Sequence, residues 1–272
     1  KGHGKADEPH KDPDQAERVR SHLAGPVLRL AIRFHDEPGR AEKHIACNNR
    51  KPGHDAESAC PVERAAREIA ARMGDELNSA CVNNIWVPDG YKDTPVDRMS
   101  ARVRLEKSLD AMLADAHDPA QMLDAVESKL FGIGVEACTV GSHEFYLGYA
   151  IRNKTLLCLD MGQFDPTENV ADKLSSVALS LDQILLHVSR PMRWDSDHVI
   201  LLNDDILQMA QELVSADLLA RTHNGLDFFD ATISRTEAWF IGTRNMQKAF
   251  IVVSIRQRRE IIHRRQGYLG PI

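Results

Sequence analysis

The stretch "QILLHVSRPMRWDSDHV", residues 183–199, changes character part-way along its length. It opens with a nearly continuous apolar run that carries the chain to His187, and two aspartates, Asp195 and Asp197, follow a few residues later. A short apolar run of this kind is typical of a strand that is buried on both faces, as in a parallel sheet. The charged end has two interpretations: a solvated loop after a buried strand, or the rim of a site where an imidazole and carboxylates meet on a cation.

The same pattern recurs along most of the chain. Short apolar runs predict strands at 27–34, 81–87, 122–131, 155–162, 183–189 and 224–230. Helical patterns lie at 61–77, 98–115, 142–152, 167–178, 203–216 and 231–251. This alternation predicts an α/β protein with a parallel sheet. The length of 272 residues suits a TIM (β/α)8-type barrel, which typically needs about 250. Because only six strands are recognisable, we expect either degenerate remaining strands or an open, incomplete barrel at the N-terminal side.

Three segments are predicted along the chain. Residues 1–60 form a divergent N-terminal segment, with a polar arm expected to be partly disordered and one strand. Residues 61–250 form the metal-binding barrel core, and residues 251–272 form a basic C-terminal tail.

Composition limits the class of protein. A net charge of −6 gives no general attraction to nucleic acid or to an anionic membrane, and no apolar stretch is long enough for a membrane span. The five cysteines show no CxxC spacing, which favours a reducing compartment over a disulfide framework. Cys158, inside an apolar run, is expected to be a small buried hydrophobe. With no signal peptide recognisable, we predict a cytoplasmic protein.

Polar residues stand at or near the ends of five successive predicted strands. They are Trp86, Glu127 with Lys129, Asp160, His187 and Asp227. The carboxyl ends of all strands of a (β/α)8 barrel open on one face, where side chains from different strands converge. One such residue usually just begins a polar loop, and a strand-end tryptophan often only fills the core. The repetition over five strands favours a shared site.

The residue types at these ends suit a hard divalent cation. Three carboxylates and one imidazole are ligands that favour Mn²⁺, Mg²⁺ or Co²⁺ over a thiolate-seeking metal. In an extended loop Asp195 and Asp197 can direct both carboxylates at a second cation, because extended side chains repeat with period two. The sequence "DSD" alone is more often a turn than a ligand pair.

Several longer blocks resemble the L-rhamnose isomerase family. They are "WVPDGYKD" (86–93), "DAVESKLFGIG" (124–134), "TVGSHEFYLGYA" (139–150), "LLHVSRPMRWDSDHV" (185–199), "GLDFFDATISRTEAW" (225–239) and "IGTRNMQKA" (241–249). The resemblance implies a TIM barrel that converts L-rhamnose, or a related aldose, to its ketose with two divalent cations. It implies Mn²⁺ as the preferred cation, with Mg²⁺, Co²⁺ or Zn²⁺ as alternatives. It also implies that the substrate is a small sugar and that the protein is a homotetramer.

The resemblance also implies roles for individual residues. The first cation would be held by Glu127, Asp160, His187 and Asp227, and the second by Asp195, Asp197 and a residue shortly after Asp160. Catalytic roles would fall to Asp227, Lys129 and Asp195. The sugar would be contacted by Trp86, Lys129, Glu127 and His187.

The chain departs from the family pattern in two places. Gln163 stands where the family has a histidine ligand of the second cation, and Asp165 stands where a further histidine is common. A neutral amide oxygen is the weaker ligand, so we predict a weak second site, unless Asp165 substitutes in an extended segment. The family's first three strands have no clear counterpart in residues 1–60, where His35 is at most a candidate ligand.

Three functional classes follow from these observations. The first is an active isomerase of L-rhamnose or a related aldose. The second is a catalytically impaired relative or fragment that keeps one structural metal site and acts as a sugar-binding or oligomer-forming subunit. The third is a different metal-dependent barrel enzyme, such as a hydrolase that activates water.

Overall fold

The computed structural model describes residues 30–32, 61–86, 97–128, 142–165, 167–190, 198–228 and 233–265. Within these residues six strands alternate with six α-helices. The strands are β1 (Leu30–Ile32), β2 (Cys81–Ile85), β3 (Met122–Glu127), β4 (Leu156–Asp160), β5 (Ile184–Val188) and β6 (Thr222–Leu226). The helices are α1 (Pro61–Leu77), α2 (Arg98–Met112), α3 (His143–Asn153), α4 (Ala171–Ala178), α5 (Asp204–Ser215) and α6 (Arg235–Arg265).

The six strands form one sheet in which every neighbouring pair is parallel. Its order is β1-β6-β5-β4-β3-β2, so β1, the first of the described strands, lies beside β6, the last of them. A closed barrel places its first and last strands together in this way, but β1 and β2 are the two edges of the described sheet. The predicted α/β fold with a parallel sheet is confirmed, and the finer expectation of a closed barrel goes beyond what the described residues contain.

The sheet has a helix-facing side that carries the main core. All residues of β4 and β5 are buried, as expected for parallel strands covered on both faces. Leu157, Leu159, Ile184, Leu186 and Val188 point towards the helices and belong to one large apolar cluster. The helices contribute many further members of that cluster, including Leu105, Leu109, Tyr146, Leu174, Leu213 and Met246.

The opposite side of the sheet has a smaller apolar layer. Ala125, Leu156, Cys158 and Leu185 form a separate buried cluster there, as period-two alternation along the strands requires. The same alternation places Glu127 above Ala125, Asp160 above Cys158 and His187 above Leu185. The apolar layer therefore forms the floor beneath the polar strand ends.

A buried polar network joins α1 to the helix-facing side of β2 and β3. Arg67, only 2% exposed, donates from Nε to Asp124 Oδ1 at 3.0 Å and from NH2 to Asp124 Oδ2 at 2.8 Å. Asn83 donates from Nδ2 to Glu63 Oε1 at 2.8 Å and to Asp124 Oδ1 at 3.2 Å. The buried guanidinium of Arg67 needs such partners, because an unpaired buried charge is strongly destabilising.

The last helix differs from the prediction. The apolar pattern placed its end at residue 251, whereas α6 continues to Arg265. Arg256, Arg258 and Arg259 are exposed, and because arginine has high helix propensity they need no apolar partner to extend a helix that is already packed. Among the helices described here, none is long and apolar enough to cross a membrane.

Candidate metal centre

Four buried polar side chains stand at the carboxyl ends of four neighbouring strands. Glu127 and Asp160 are the last residues of β3 and β4, His187 is the last but one of β5, and Asp227 directly follows β6. The parallel register pairs Asp160 with His187 and His187 with Gly225. A Cβ atom at Gly225 would lie 3.2 Å from His187 Cδ2, so glycine at this position leaves room for the imidazole.

The four side chains converge on the Nδ1 atom of His187. This nitrogen lies 3.1 Å from Asp227 Oδ2, 3.3 Å from Glu127 Oε2 and 3.8 Å from Asp160 Oδ2. Exposure of the four residues is between 2% and 5%, so the cluster is shielded from bulk water. The residues predicted to hold the first cation are thus brought together at one point.

The chemistry of the cluster fits a divalent cation. His187 Nδ1 is buried, and among the described residues it makes no hydrogen bond, although three carboxylate oxygens surround it. Ligand atoms of Asp160, His187 and Asp227 all lie within 4.8 Å of one another. Three buried carboxylates are electrostatically unfavourable together without a positive charge between them. One imidazole with oxygen ligands suits a first-row or alkaline-earth divalent cation.

The cluster perturbs its own acid–base behaviour. Burial raises the pKa of Asp160 to about 6, with the nearby negative charges of Glu127 and Asp227 adding to the rise and His187 opposing it. Burial alone would lower the pKa of His187, but the acidic groups around the ring raise it well above its usual value. Cys158 counts little among those groups, because burial raises the pKa of its thiol and keeps it neutral. Without a metal, protons therefore neutralise part of the charge.

The ligands are held by groups around them. Asn84 on β2 donates a hydrogen bond from Nδ2 to Glu127 Oε2. The backbone N–H of Gly162 donates to Asp160 Oδ1 at 2.7 Å, and that of Asp227 donates to the Val188 carbonyl at 3.2 Å. Such surrounding hydrogen bonds orient metal ligands and typically affect affinity about 10- to 100-fold.

Sequence reasoning missed the role of Asn84. It lies two residues before Trp86 and two after Val82 in the motif "CVNNIWV", so period-two alternation places it on the face of the site. A polar residue on that face of a strand was the signal that could have revealed it. Its Oδ1 atom is buried and makes no hydrogen bond to any described residue.

Cys158 lies closer to the cluster than the sequence suggested. It is buried, as predicted for a small hydrophobe, with 1% of its surface exposed. One ligand atom each of Cys158, Glu127 and His187 nevertheless lie within 4.8 Å of one another.

Other predicted site residues lie around this centre. Trp86 is half-buried at the end of β2. Gln163 is 3% exposed in the turn after β4, where its N–H donates to the Asp160 carbonyl at 3.1 Å. The segment is not extended: residues 161–164 form turns, and Asp165 is exposed with its Oδ1 accepting from Thr167 N at 3.0 Å. The condition under which Asp165 would share a face with Gln163 is therefore not met.

Some predicted residues fall outside the described parts of the chain. They are Lys129, Asp195, Asp197 and His35.

Comparison with known proteins identifies the family. The family model for L-rhamnose isomerase (RhaA) matches residues 60–266. This chain belongs to the L-rhamnose isomerase family. It is 55% identical over 188 residues to an L-rhamnose isomerase of Yersinia pseudotuberculosis serotype O:1b (strain IP 31758), covering 69% of this chain and 45% of the relative. It is 54% identical over 198 residues to that of Escherichia coli O157:H7 (strain EC4115 / EHEC), covering 73% and 47%. It is 56% identical over 188 residues to the L-rhamnose isomerase of Cronobacter sakazakii (strain ATCC BAA-894), and the match covers 69% of this chain and 45% of the relative.

The chain spans about half the length of the curated relatives it matches. The shared part runs through β2 to β6 and so contains every described member of the cluster.

Proposed function

We propose that this chain is a metal-dependent aldose–ketose isomerase that converts L-rhamnose to L-rhamnulose. Membership of the L-rhamnose isomerase family supports the reaction. The observation that carries the proposal is the buried cluster of Glu127, Asp160, His187 and Asp227, whose atoms meet around His187 Nδ1 at the carboxyl ends of the strands. This is where barrel enzymes place their chemistry.

The reaction moves one hydrogen from C2 to C1 of the sugar and one proton from O2 to O1. When bound, a divalent cation would supply Lewis acidity that polarises the sugar oxygens. We assign Glu127, Asp160, His187 and Asp227 to holding the first cation, and Glu127 and His187 also to orienting the sugar. The movement of protons between the two sugar oxygens is assigned to Asp227, Lys129 and Asp195.

We assign Trp86 to the wall of the sugar site. It is half-buried and follows β2 directly, two residues beyond Asn84, which contacts the cluster. An indole in this position offers a rigid apolar face to the sugar while neighbouring polar groups bind its hydroxyls. Lys129 is proposed as a polar partner of the same sugar.

A second cation is proposed beside the first, held by Asp195, Asp197 and Gln163. Gln163 is buried three residues after Asp160, which supports its placement near the cluster. We propose Mn²⁺ as the ion in both positions, since oxygen-rich sites with a histidine suit it, with Mg²⁺, Co²⁺ or Zn²⁺ as alternatives. The neutral Gln163 amide makes the second site the weaker one.

The complete fold, the oligomeric state and the cellular location are also proposed from the likeness to the family. The six parallel strands, with β1 beside β6, are proposed to form a sector of a (β/α)8 barrel. A homotetramer is proposed from the resemblance, and a cytoplasmic location from the family's metabolic substrate and from cysteine spacing that does not suggest a disulfide framework.

The direct test is to assay ketose formation from L-rhamnose with the chain, with Mn²⁺ added or with a chelator. We expect ketose only with the metal, and a loss of turnover of about 100-fold or more in Asp227→Asn and Glu127→Gln. Glu168→Gln, on an exposed side chain paired with Lys173, serves as the control and should retain wild-type turnover. Absence of ketose at saturating Mn²⁺ would refute the isomerase proposal.

A second candidate is an impaired relative that keeps only the first cation as a structural ion. The neutral Gln163 at the position of a family histidine favours it. Calorimetric titration together with the ketose assay separates the impaired relative from the active isomerase. The impaired relative is expected to bind one Mn²⁺ per chain, to gain stability on binding and to produce no ketose.

A further inference from the structure

We propose that Cys158, Glu127 and His187 form a soft-metal site that binds Zn²⁺ or Cd²⁺ through sulfur, in competition with the oxygen-rich site above it. The two sites share Glu127 and His187. They differ in the remaining ligands. The soft-metal site adds the Cys158 thiolate, whereas the oxygen-rich site adds the carboxylates of Asp160 and Asp227. The soft-metal site lies one residue layer deeper in the sheet.

The geometry places the three groups within reach of one ion. The register pairs Glu127 directly with Cys158 on neighbouring strands, and one ligand atom from each of the three residues lies within 4.8 Å of the others. Ligand atoms in a tetrahedral zinc site are about 3.5 Å apart, given bonds of about 2.0 to 2.3 Å. Binding of the ion requires side-chain rotations that close this difference.

A second observation points to a ligand at this position. His187 is 3% exposed, and its buried Nδ1 makes no hydrogen bond to a described residue. The other edge of the ring faces β6, where a Cβ atom at Gly225 would lie 3.7 Å from Nε2. Nδ1 is the nitrogen that faces Glu127 and the aspartates, and both sites need the same imidazole and the same Glu127 carboxylate. Occupation of the two sites is therefore mutually exclusive.

Charge and ligand type explain the preference. Thiolate ligands select Zn²⁺ and related soft ions, whereas Mn²⁺ and Mg²⁺ prefer oxygen. As the ion binds, the S–H bond of Cys158 breaks, its proton passes to solvent and an S–metal bond forms without change of oxidation state. Two anionic ligands and one neutral imidazole then cancel the charge of a divalent ion, which is favourable in a buried layer.

The test is Cd²⁺ titration of the chain, followed by the sulfur-to-cadmium charge-transfer absorption in the ultraviolet. We expect a saturable band in the wild type that Mn²⁺ in excess suppresses. Cys158→Ala and Cys158→Ser should lose this band and bind Cd²⁺ roughly 100-fold more weakly, while Mn²⁺ affinity changes by less than about threefold. Cys81→Ser is the matched control, since Cys81 lies at the opposite end of β2, and it should keep the band.

An unchanged band in both Cys158 variants, or Cd²⁺ and Mn²⁺ that bind without competing, would overturn the proposal. The wild-type competition needs no variant, so the test stands even if a substitution prevents folding. Any effect of Cd²⁺ on catalysis rests on the proposed isomerase function, but the binding itself does not. Ketose formation without a Cys158-dependent cadmium absorption band would contradict only this inference. The absorption band without ketose formation would contradict only the isomerase proposal.

Discussion

At the scale of single residues, the adjacent asparagines of β2 show how one strand serves two sides of the sheet. Asn84 donates to Glu127 Oε2 in the cluster, and Asn83 donates to Glu63 and Asp124 on the helix side. The two side chains are chemically identical and point in opposite directions because strand residues alternate. They therefore offer a matched pair for separating metal binding from stability.

Asn84→Ala is expected to weaken Mn²⁺ binding about 10- to 100-fold, because Glu127 loses the group that orients it. Asn83→Ala should instead lower thermal stability and leave Mn²⁺ affinity nearly unchanged. Calorimetric titration and thermal unfolding of both variants provide the measurement. Equal Mn²⁺ affinities in the two variants would contradict the role assigned to Asn84.

Gln163→His is expected to tighten the second cation and to raise turnover at limiting Mn²⁺, because an imidazole is a stronger ligand than an amide oxygen. Binding of the first cation should not change. Gln163→Asn is the control that keeps a neutral amide and should bring no gain. If neither Mn²⁺ dependence nor rate responds to the histidine, Gln163 is not a ligand of a second cation.

Asp160 predicts a pH dependence of stability in the metal-free protein. Its pKa rises from 3.8 to about 6 on folding, so the folded state holds its proton more tightly than the unfolded state. The resulting stabilisation, on the order of 2 to 3 kcal/mol, is complete below about pH 4 and is lost as pH rises through about 6. In chelator, the unfolding free energy of wild type should therefore fall relative to Asp160→Asn between pH 4 and 7. If the unfolding free energy of wild type instead rose relative to Asp160→Asn over this pH range, the pKa of Asp160 would be lowered by folding and the prediction would be wrong.

At the scale of elements, the contact between α6 and β6 depends on one glycine. A Cβ atom at Gly242 would lie 2.2 Å from Cζ of Phe228, the buried residue that directly follows Asp227. The close approach of the helix therefore fixes the segment that carries a proposed metal ligand. Gly148 in α3 has nothing within 4 Å of the corresponding position.

Gly242→Ala is expected to lower the unfolding free energy by about 1 to 3 kcal/mol, despite alanine's better helix propensity, because Phe228 must move. Mn²⁺ affinity should fall with it, since Asp227 moves too. Gly148→Ala should raise stability by about 0.5 to 1 kcal/mol with no effect on Mn²⁺. Denaturant unfolding and Mn²⁺ titration test both, and a stabilised Gly242→Ala would refute the contact.

The elements themselves were largely predictable from the sequence. The strands β2 to β6 lie within two residues of the predicted starts, because continuous apolar runs such as "TLLCLD" have few alternatives to a buried strand. The position of β1 beside β6 was not predictable, since pairing between distant segments leaves no local pattern. The length of α6 was missed because the residues after Val253 are mostly polar or charged and give no continuous apolar period.

Only part of the candidate site was predictable from the sequence. Glu127, Asp160, His187 and Asp227 could be grouped because parallel strands end at one edge. Asn84 and Cys158 were not recognised as neighbours of the cluster, since a polar residue in an edge strand and a thiol in an apolar run each have a simpler explanation. Which nitrogen of His187 faces the carboxylates follows only from coordinates.

At the scale of the whole molecule, a bound cation would join four neighbouring strands at one point. Saturation with Mn²⁺ at about 100 times its dissociation constant should add about 2.7 kcal/mol to the unfolding free energy, because the ion binds only the folded state. For a domain of this size that corresponds to a rise in Tm of roughly 5 to 10 °C. Glu127→Gln should lose most of the rise and Glu168→Gln should keep it. Equal Tm with and without Mn²⁺ in the wild type would count against a metal centre.

The pairing of β1 with β6 has a consequence for how the chain is made. Leu30 pairs with Asn224, about 190 residues later, so at ribosomal rates of about 5 to 20 residues per second the partner emerges roughly 10 to 40 s afterwards. During that time β2 to β5 can assemble one after another, because each pairs with the next. Among the described strands, the first to be synthesised is the last to be placed, and until then its hydrogen-bonding edge is open to chaperones and to other nascent chains.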